Sequence, residues 1–186
     1  YNAKPTGKGS LALLFEKWKK EFNEKGYFSP EIKKPIKDNN TCIGILTSID
    51  GAALQDMLAV FQSKKPNLTI FVIDCRVQGE NCSKELRKGI RYLEKWSASN
   101  SPKLDLIALV RGGGSKEDLN GFNQPDLIEA MYQAKMPLIS AVGHEIDTSL
   151  SDYVADKSFI TPTACAEGLV IDYSSLSKVY KKIKSR

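Results

Sequence analysis

The sequence predicts an α/β fold: an open, mainly parallel sheet of about four or more strands, doubly wound with helices flanking it, plus N- and C-terminal helices. Three observations predict it. From residue 42 onward, short apolar runs alternate with stretches of helical period. The runs are spaced so that a helix fits between successive strands, which makes neighbouring strands parallel and covers the sheet. The composition, 41% hydrophobic and 26% charged, is that of a globular protein rather than a disordered or collagen-like chain.

Residues 10–25 read as an amphipathic helix with Leu11, Leu14, Phe15, Trp18 and Phe22 on one face. Buried strands are expected over 42–46, 68–73, 104–110 and 137–142. Between them fall helices over about 52–64, 80–96 and 125–135. The second shows the period well, with Leu86, Ile90, Leu93 and Trp96 at three- or four-residue steps. Pro66 and Pro102 each stop a helix ahead of the next strand. From 163 the pattern is helical again and ends in Lys-rich sequence. There is no internal repeat.

At 186 residues the chain is long enough for one domain and barely for two. No apolar run approaches the roughly 18 to 20 residues of a membrane helix, and the start lacks a signal-peptide core, so no membrane is expected. The chain opens at Tyr1 rather than Met and reads as part of something longer. The net charge of +5 is uneven: residues 1–40 carry +4, residues 172–186 another +4, and 41–171 carry −3. Basic ends around an acid-rich middle differ from the basic stripe of a generic nucleic-acid module. They suit a carboxylate-containing site, or merely Lys residues solvating two exposed helices. Cys42, Cys75, Cys82 and Cys165 form no CxxC pair, and with His144 as the single histidine no zinc spacing exists. The expectation is a reduced, cytoplasmic protein without a disulfide framework.

In open parallel sheets ligands bind beyond the carboxyl ends of the strands. Polar, glycine-bearing segments follow each expected strand there. Thr47, Ser48, Asp50 and Gly51 follow the first, with Asp56 one turn into the helix; Asp74, Arg76, Gln78 and Gly79 follow the second. Arg111, Gly112, Gly113, Gly114, Ser115, Glu117 and Asp118 follow the third; Gly143, His144, Glu145 and Asp147 follow the fourth. Three glycines after a strand can turn successive backbone N–H groups toward a phosphate or carboxylate, with Arg111 clamping the anion. Neither the dinucleotide fingerprint nor the P-loop fits, and a flexible turn is the blander reading. His144 has Glu145 and Asp147 beside it, and a carboxylate orients an imidazole for acid–base work. A divalent ion, magnesium or manganese, on some of Glu145, Asp147, Asp152, Asp156, Asp118 and Glu117 is the alternative. Asp56 also reads simply as an acid complementing its helix dipole.

These segments together resemble a known family. Ile43-Gly44-Ile45-Leu46-Thr47-Ser48 with Gly51-Ala52-Ala53 and Asp56 is similar to its IGxxTSxxGAAxxD opening, and Val77-Gln78-Gly79 to its VQG. Arg111-Gly112-Gly113-Gly114-Ser115 with Glu117-Asp118-Leu119 and Phe122-Asn123 is similar to RGGGSxEDLxxFN. Gly143-His144-Glu145 with Asp147, Asp152, Ala155-Asp156 and Thr161-Pro162 is similar to GHExDxTxxDxxADxRAxTP. The family is the large subunit of exonuclease VII, a bacterial single-strand DNA exonuclease, and the likeness runs from about residue 7 into the final helix.

The resemblance implies that residues 1–10 are the exit from an N-terminal OB-fold, 11–171 the α/β nuclease domain, and 172–186 the start of a long helical region. The resemblance implies that this helical region binds several small subunits. The implied activity is hydrolysis of single-stranded DNA from either end to oligonucleotides, with no obligatory added metal and magnesium as the alternative. The implied catalytic positions are Asp56, Arg111, His144 and Asp147. Thr47, Ser48, Gln78, Gly112, Gly113, Gly114, Ser115, Glu117, Asp118, Asn123 and Glu145 are expected to contact DNA. The chain departs from the pattern at Asn120, where an aromatic is usual, at Ser149 for Thr, at Ser158 for Arg, and at Lys64-Lys65 for a twin Arg.

The expected chemistry is in-line attack of water on phosphorus. His144 serves as general base or acid and Asp147 orients it; Arg111 and the glycine amides meet charge developing on the phosphate. Asp56 positions the water or holds Arg111. The rivals are a magnesium site on Asp56 and Asp147, a non-catalytic single-strand-binding or scaffold module, and a nucleotide or sugar-phosphate enzyme on the same kind of sheet.

Overall fold

A computed structural model of the protein describes residues 8–114, 116–143 and 148–170. Its centre is a five-stranded sheet, all parallel, in the order β2-β1-β3-β4-β5. The strands are β1 (Cys42–Thr47), β2 (Thr69–Asp74), β3 (Leu106–Val110), β4 (Leu138–Ala141) and β5 (Lys157–Ser158). The helices are α1 (Lys8–Glu24), α2 (Ala52–Lys64), α3 (Cys82–Ser99), α4 (Pro125–Gln133), α5 (Leu150–Val154) and α6 (Pro162–Leu169), with a 3-10 helix over Lys116–Asn123. Among the described residues no helix is long and apolar enough to cross a membrane.

Alternation along the strands divides the core in two. Ile43 and Ile45 of β1, Leu106, Ala108 and Val110 of β3, and Ile139 and Ala141 of β4 face one side, against Leu54, Met57 and Phe61 of α2 and Cys165, Ala166 and Leu169 of α6. Leu46, Ile107, Leu109 and Leu138 face the other, against Leu86, Ile90 and Leu93 of α3, Leu127, Ile128 and Met131 of α4, and Leu150 and Val154 of α5. Phe22 of α1 is buried in that second layer, with Phe15 and Trp18 packed on it. The doubly wound expectation therefore holds, with helices on both faces.

Helix α3 crosses β1 at unusually short range, and two glycines allow it. A β-carbon at Gly44 would stand 2.7 Å from Leu93 Cδ1, and one at Gly89 would stand 2.7 Å from Leu46 Cδ2. Each glycine receives the leucine of the opposing element, so the pair interlocks.

Two features differ from the sequence expectations. Strand β2 was expected to be buried, yet its residues are half-buried with both end residues exposed. It is an edge strand paired only to β1, with the Trp96 ring 4.1 Å from that of Phe71. The two-residue β5 at the opposite edge has no periodicity to announce it. The four cysteines are free and buried, and burial pushes the Cys75, Cys82 and Cys165 thiols up to about 12.

The amino edge of the sheet is tied by two carboxylates. Asp105 accepts from Thr41 N (2.7 Å), Cys42 N (3.1 Å) and Lys37 Nζ (2.6 Å). Asp156 accepts from Lys34 N and Leu138 N, both at 2.7 Å, and its carboxylate lies 3.1 Å from Lys34 Nζ. Asp156 thus ties the edge opposite the carboxyl ends of the strands, where it acts as a structural clamp.

Candidate active site

The strand order contains a switch point. The chain leaves β1 for β2 on one side and returns to β3 on the other, so the connections after β1 and β3 run to opposite faces of the sheet, the arrangement that opens a crevice in doubly wound folds. That is where doubly wound sheets receive ligands. The loop after β1 begins at buried Thr47 and half-buried Ser48. Gly51 N donates to Ser48 O at 3.1 Å, closing a turn, and Ile49 N donates to Asp74 Oδ1 at 3.0 Å. The β2 terminus therefore braces this loop. Thr47 serves as its buried footing, and Ser48 is the hydroxyl nearer the surface.

Helix α2 starts directly behind this turn. Gly51 is its N-cap in extended conformation, no side-chain hydrogen bond caps it, and its first turn holds no acid. Leu54 N donates back to Gly51 O at 3.2 Å, and the positive end of the helix dipole is a feature that attracts anions. The loop after β3 passes close to it: a β-carbon at Gly112 would lie 3.4 Å from Ala53 Cβ and 3.8 Å from Ala53 N. Asp56 lies one turn on, exposed.

Arg111 opens the β3 loop. Its N–H donates to Ala141 O at 3.1 Å, which prolongs the ladder by one residue, and only 8% of the residue is exposed. Its Nη2 lies 3.7 Å from Asp118 Oδ2, and the same atoms flank Gly114. None of Gly112, Gly113 and Gly114 has positive φ, so the triplet does not take the alternating right- and left-handed form of an anion nest. Closeness explains Gly114, while a β-carbon at Gly112 would make ordinary contact with Ala53 and one at Gly113 would face open space.

The 3-10 helix that follows is seated by buried Leu119 and Phe122, and Gly121 lies against Cys82 at the start of α3. Asn123 Oδ1 accepts from Leu150 N at 2.7 Å, so this residue links the β3 loop to α5. Asn120 holds Gln124, whose Nε2 donates to its carbonyl at 3.0 Å. Gln78 is exposed after β2, ahead of Gly79, whose φ of 77° makes the turn into α3.

Beyond β4 the described chain includes half-buried Gly143 and resumes at Thr148. His144, Glu145, Asp147 and Ser115 lie outside the described residues, as does the side chain of Glu117. The exit is pinned by a hydroxyl cluster that periodicity could not reveal. Ser149 caps α5: its Oγ donates to Asp152 Oδ2 at 2.8 Å, its N–H donates to the same oxygen at 2.8 Å, and Asp152 N returns the bond. Ser140 donates to Asp152 Oδ1, and Ser151 lies 2.7 Å from Ser149 Oγ. The Ser149-Leu150-Ser151-Asp152 spacing was the available signal. Asp152 is thereby engaged as the cap of α5. Among the described residues no group of three or more His, Cys, Asp or Glu side chains is arranged to hold a metal. The Lys64-Lys65 departure sits at the far end of α2, where Lys64 Nζ pairs with Glu167 at 3.0 Å.

The comparisons with known proteins agree with these motifs. A family model described as exonuclease VII, large subunit, matches residues 27–186. The exodeoxyribonuclease 7 large subunit of Nitratiruptor sp. is 43% identical over 168 residues, which is 90% of this chain and 39% of that protein. Its namesake from Syntrophomonas wolfei is 40% identical over 182 residues, 98% of this chain and 44% of that protein. The Streptococcus pyogenes protein of the same name is 40% identical over 165 residues, 89% and 36% respectively. The chain thus spans less than half the length of these relatives. With the family model covering most of its residues and these relatives 40–43% identical to it, the chain belongs to the exonuclease VII large-subunit family.

Proposed function

We propose that this chain carries the nuclease centre of an exonuclease VII-like enzyme, hydrolysing phosphodiester bonds of single-stranded DNA from either end to oligonucleotides. The observation that carries this reading is Arg111, buried at the end of β3 beside the switch point, where the loop it opens passes the start of α2 at Gly112. A guanidinium suits a phosphate diester, whose non-bridging oxygens accept from it, and the start of a helix attracts the same kind of anion. The family name of the relatives supports DNA as the substrate.

In this reading a water oxygen attacks phosphorus while the bond to the departing oxygen breaks in line. His144 takes the water proton, or returns one to the leaving oxygen, with Asp147 orienting the ring. Arg111 meets the negative charge that develops on the non-bridging oxygens. Asp56, exposed on α2 beside the crevice, positions the water. The residues after 171 would lead into a helical region that binds small subunits. Magnesium held by Asp56 and Asp147 is the alternative source of charge stabilisation.

The test uses the full-length chain with its small subunit and end-labelled single-stranded DNA in excess EDTA. Cleavage by wild type, reduced about 10²–10⁴-fold in His144→Ala, is the expected result. Cleavage only after magnesium is added moves the chemistry to the carboxylates. Salt-dependent binding with the strand left intact under every condition makes the chain a binding module.

A further inference from the structure

We propose that Asp118 is a positioning residue, and that its carboxylate and the bare Cα of Gly114 together hold the Arg111 guanidinium in the pose that meets the scissile phosphate. The inference rests on the nuclease reading above and assigns the parts that prepare its cation.

Three observations converge. Arg111 Nη2 and Asp118 Oδ2 are 3.7 Å apart, with Arg111 8% and the Asp118 side chain 31% exposed, so the pair is largely sheltered from solvent. Both lean on one glycine: a β-carbon at Gly114 would lie 2.5 Å from Nη2, 3.3 Å from Cζ and 3.1 Å from Asp118 Oδ2. The carboxylate itself is anchored, because Leu119 and Phe122 fix its 3-10 helix in the core.

Chemistry favours positioning over a DNA contact for Asp118. A carboxylate beside a phosphate is repelled, whereas beside a guanidinium it narrows the orientations of a long side chain before the substrate arrives. Such preorganisation converts into rate, since a misplacement of about 1 Å can cost on the order of 100-fold. It does not convert into affinity, because the same carboxylate competes with the phosphate for Arg111. The two effects therefore have opposite signs, and a loss of folding would not reproduce them. Gly114 offers a second handle. Its φ is not left-handed, so alanine there meets no backbone objection, and its effect reports the contact with the pair.

The experiment measures turnover of end-labelled single-stranded DNA and the Kd of a phosphorothioate oligonucleotide, with full-length chain and small subunit, for wild type, Asp118→Asn, Asp118→Glu and Gly114→Ala. Asp118→Asn and Gly114→Ala should each lower kcat about 10- to 100-fold, with Asp118→Asn binding no more weakly than wild type. Asp118→Glu should recover part of the rate. Unchanged turnover in Asp118→Asn overturns the proposal. So does a parallel fall of turnover, affinity and melting temperature, which would make Asp118 merely structural. If wild type itself cuts no strand, the nuclease reading has failed and this inference falls with it; if wild type cuts and Asp118→Asn cuts as fast, only the positioning role is lost.

Discussion

Alanine at Asp156 should destabilise the fold by about 3 kcal/mol without involving any metal. The carboxylate of Asp156 is only 3% exposed and receives two backbone N–H groups, Lys34 and Leu138, each at 2.7 Å. Removing it leaves both donors without their acceptor at the amino edge of the sheet, at about 1–3 kcal/mol apiece where water cannot replace it. The ion pair with Lys34 adds less, because that side chain is 28% exposed and its ammonium can regain water. A loss of about 3 kcal/mol corresponds to a melting temperature lowered by roughly 6–12 °C. Urea and thermal unfolding of wild type and Asp156→Ala measure it, each with magnesium and with EDTA. The expected difference is the same in both buffers. A loss under about 1 kcal/mol would refute the clamp, and a wild-type midpoint raised by magnesium but unaltered by it in the variant would restore Asp156 as a ligand.

Three other outcomes follow from the packing. Gly89→Ala sets a β-carbon 2.7 Å from Leu46 Cδ2 between α3 and β1, so urea unfolding should show a loss of about 1–3 kcal/mol. Asn123→Ala removes the acceptor for Leu150 N and should lower stability by about 1–2 kcal/mol even without DNA; a variant as stable as wild type would leave Asn123 with a substrate role alone. Burial raises the Cys75 and Cys82 thiols from 9.0 to about 12, so the folded state favours the protonated form. That stabilisation is fully present below about pH 9 and fades as pH rises toward 12. A thiol reagent at pH 8 should therefore label Cys75 and Cys82 only on unfolding, which mass spectrometry reads directly.

Much of this was legible in the sequence because the sheet is internally regular. The helix expected over 52–64 coincides with Ala52–Lys64, since Gly51 starts it and Pro66 lies beyond its end. The run at 104–110 shortened to Leu106–Val110 because Leu104 and Asp105 belong to the amino edge, where Asp105 caps Thr41 and Cys42. Periodicity reports burial on a face, so it overstated β2, whose edge position comes from strand order rather than from its own residues. The site was legible as motifs that follow strands. What they could not show was which strand ends adjoin: the switch between β1 and β3 is a property of the whole sheet. Nor could residue type separate Asp152 and Asp156, both acids of one motif, into a helix cap and an edge clamp. The cap was signalled by Ser149, three residues before Asp152, but the clamp depends on Lys34, which lies 122 residues from Asp156.

The central claim is that the crevice between the carboxyl ends of β1 and β3 is where a strand is cut. A structure of the full-length chain with its small subunit and a phosphorothioate single strand tests it most directly. The account predicts a phosphate within hydrogen-bond distance of the Arg111 guanidinium, beside the first turn of α2. A strand running elsewhere, with Arg111 still turned to Asp118 and no phosphate in reach, would contradict it.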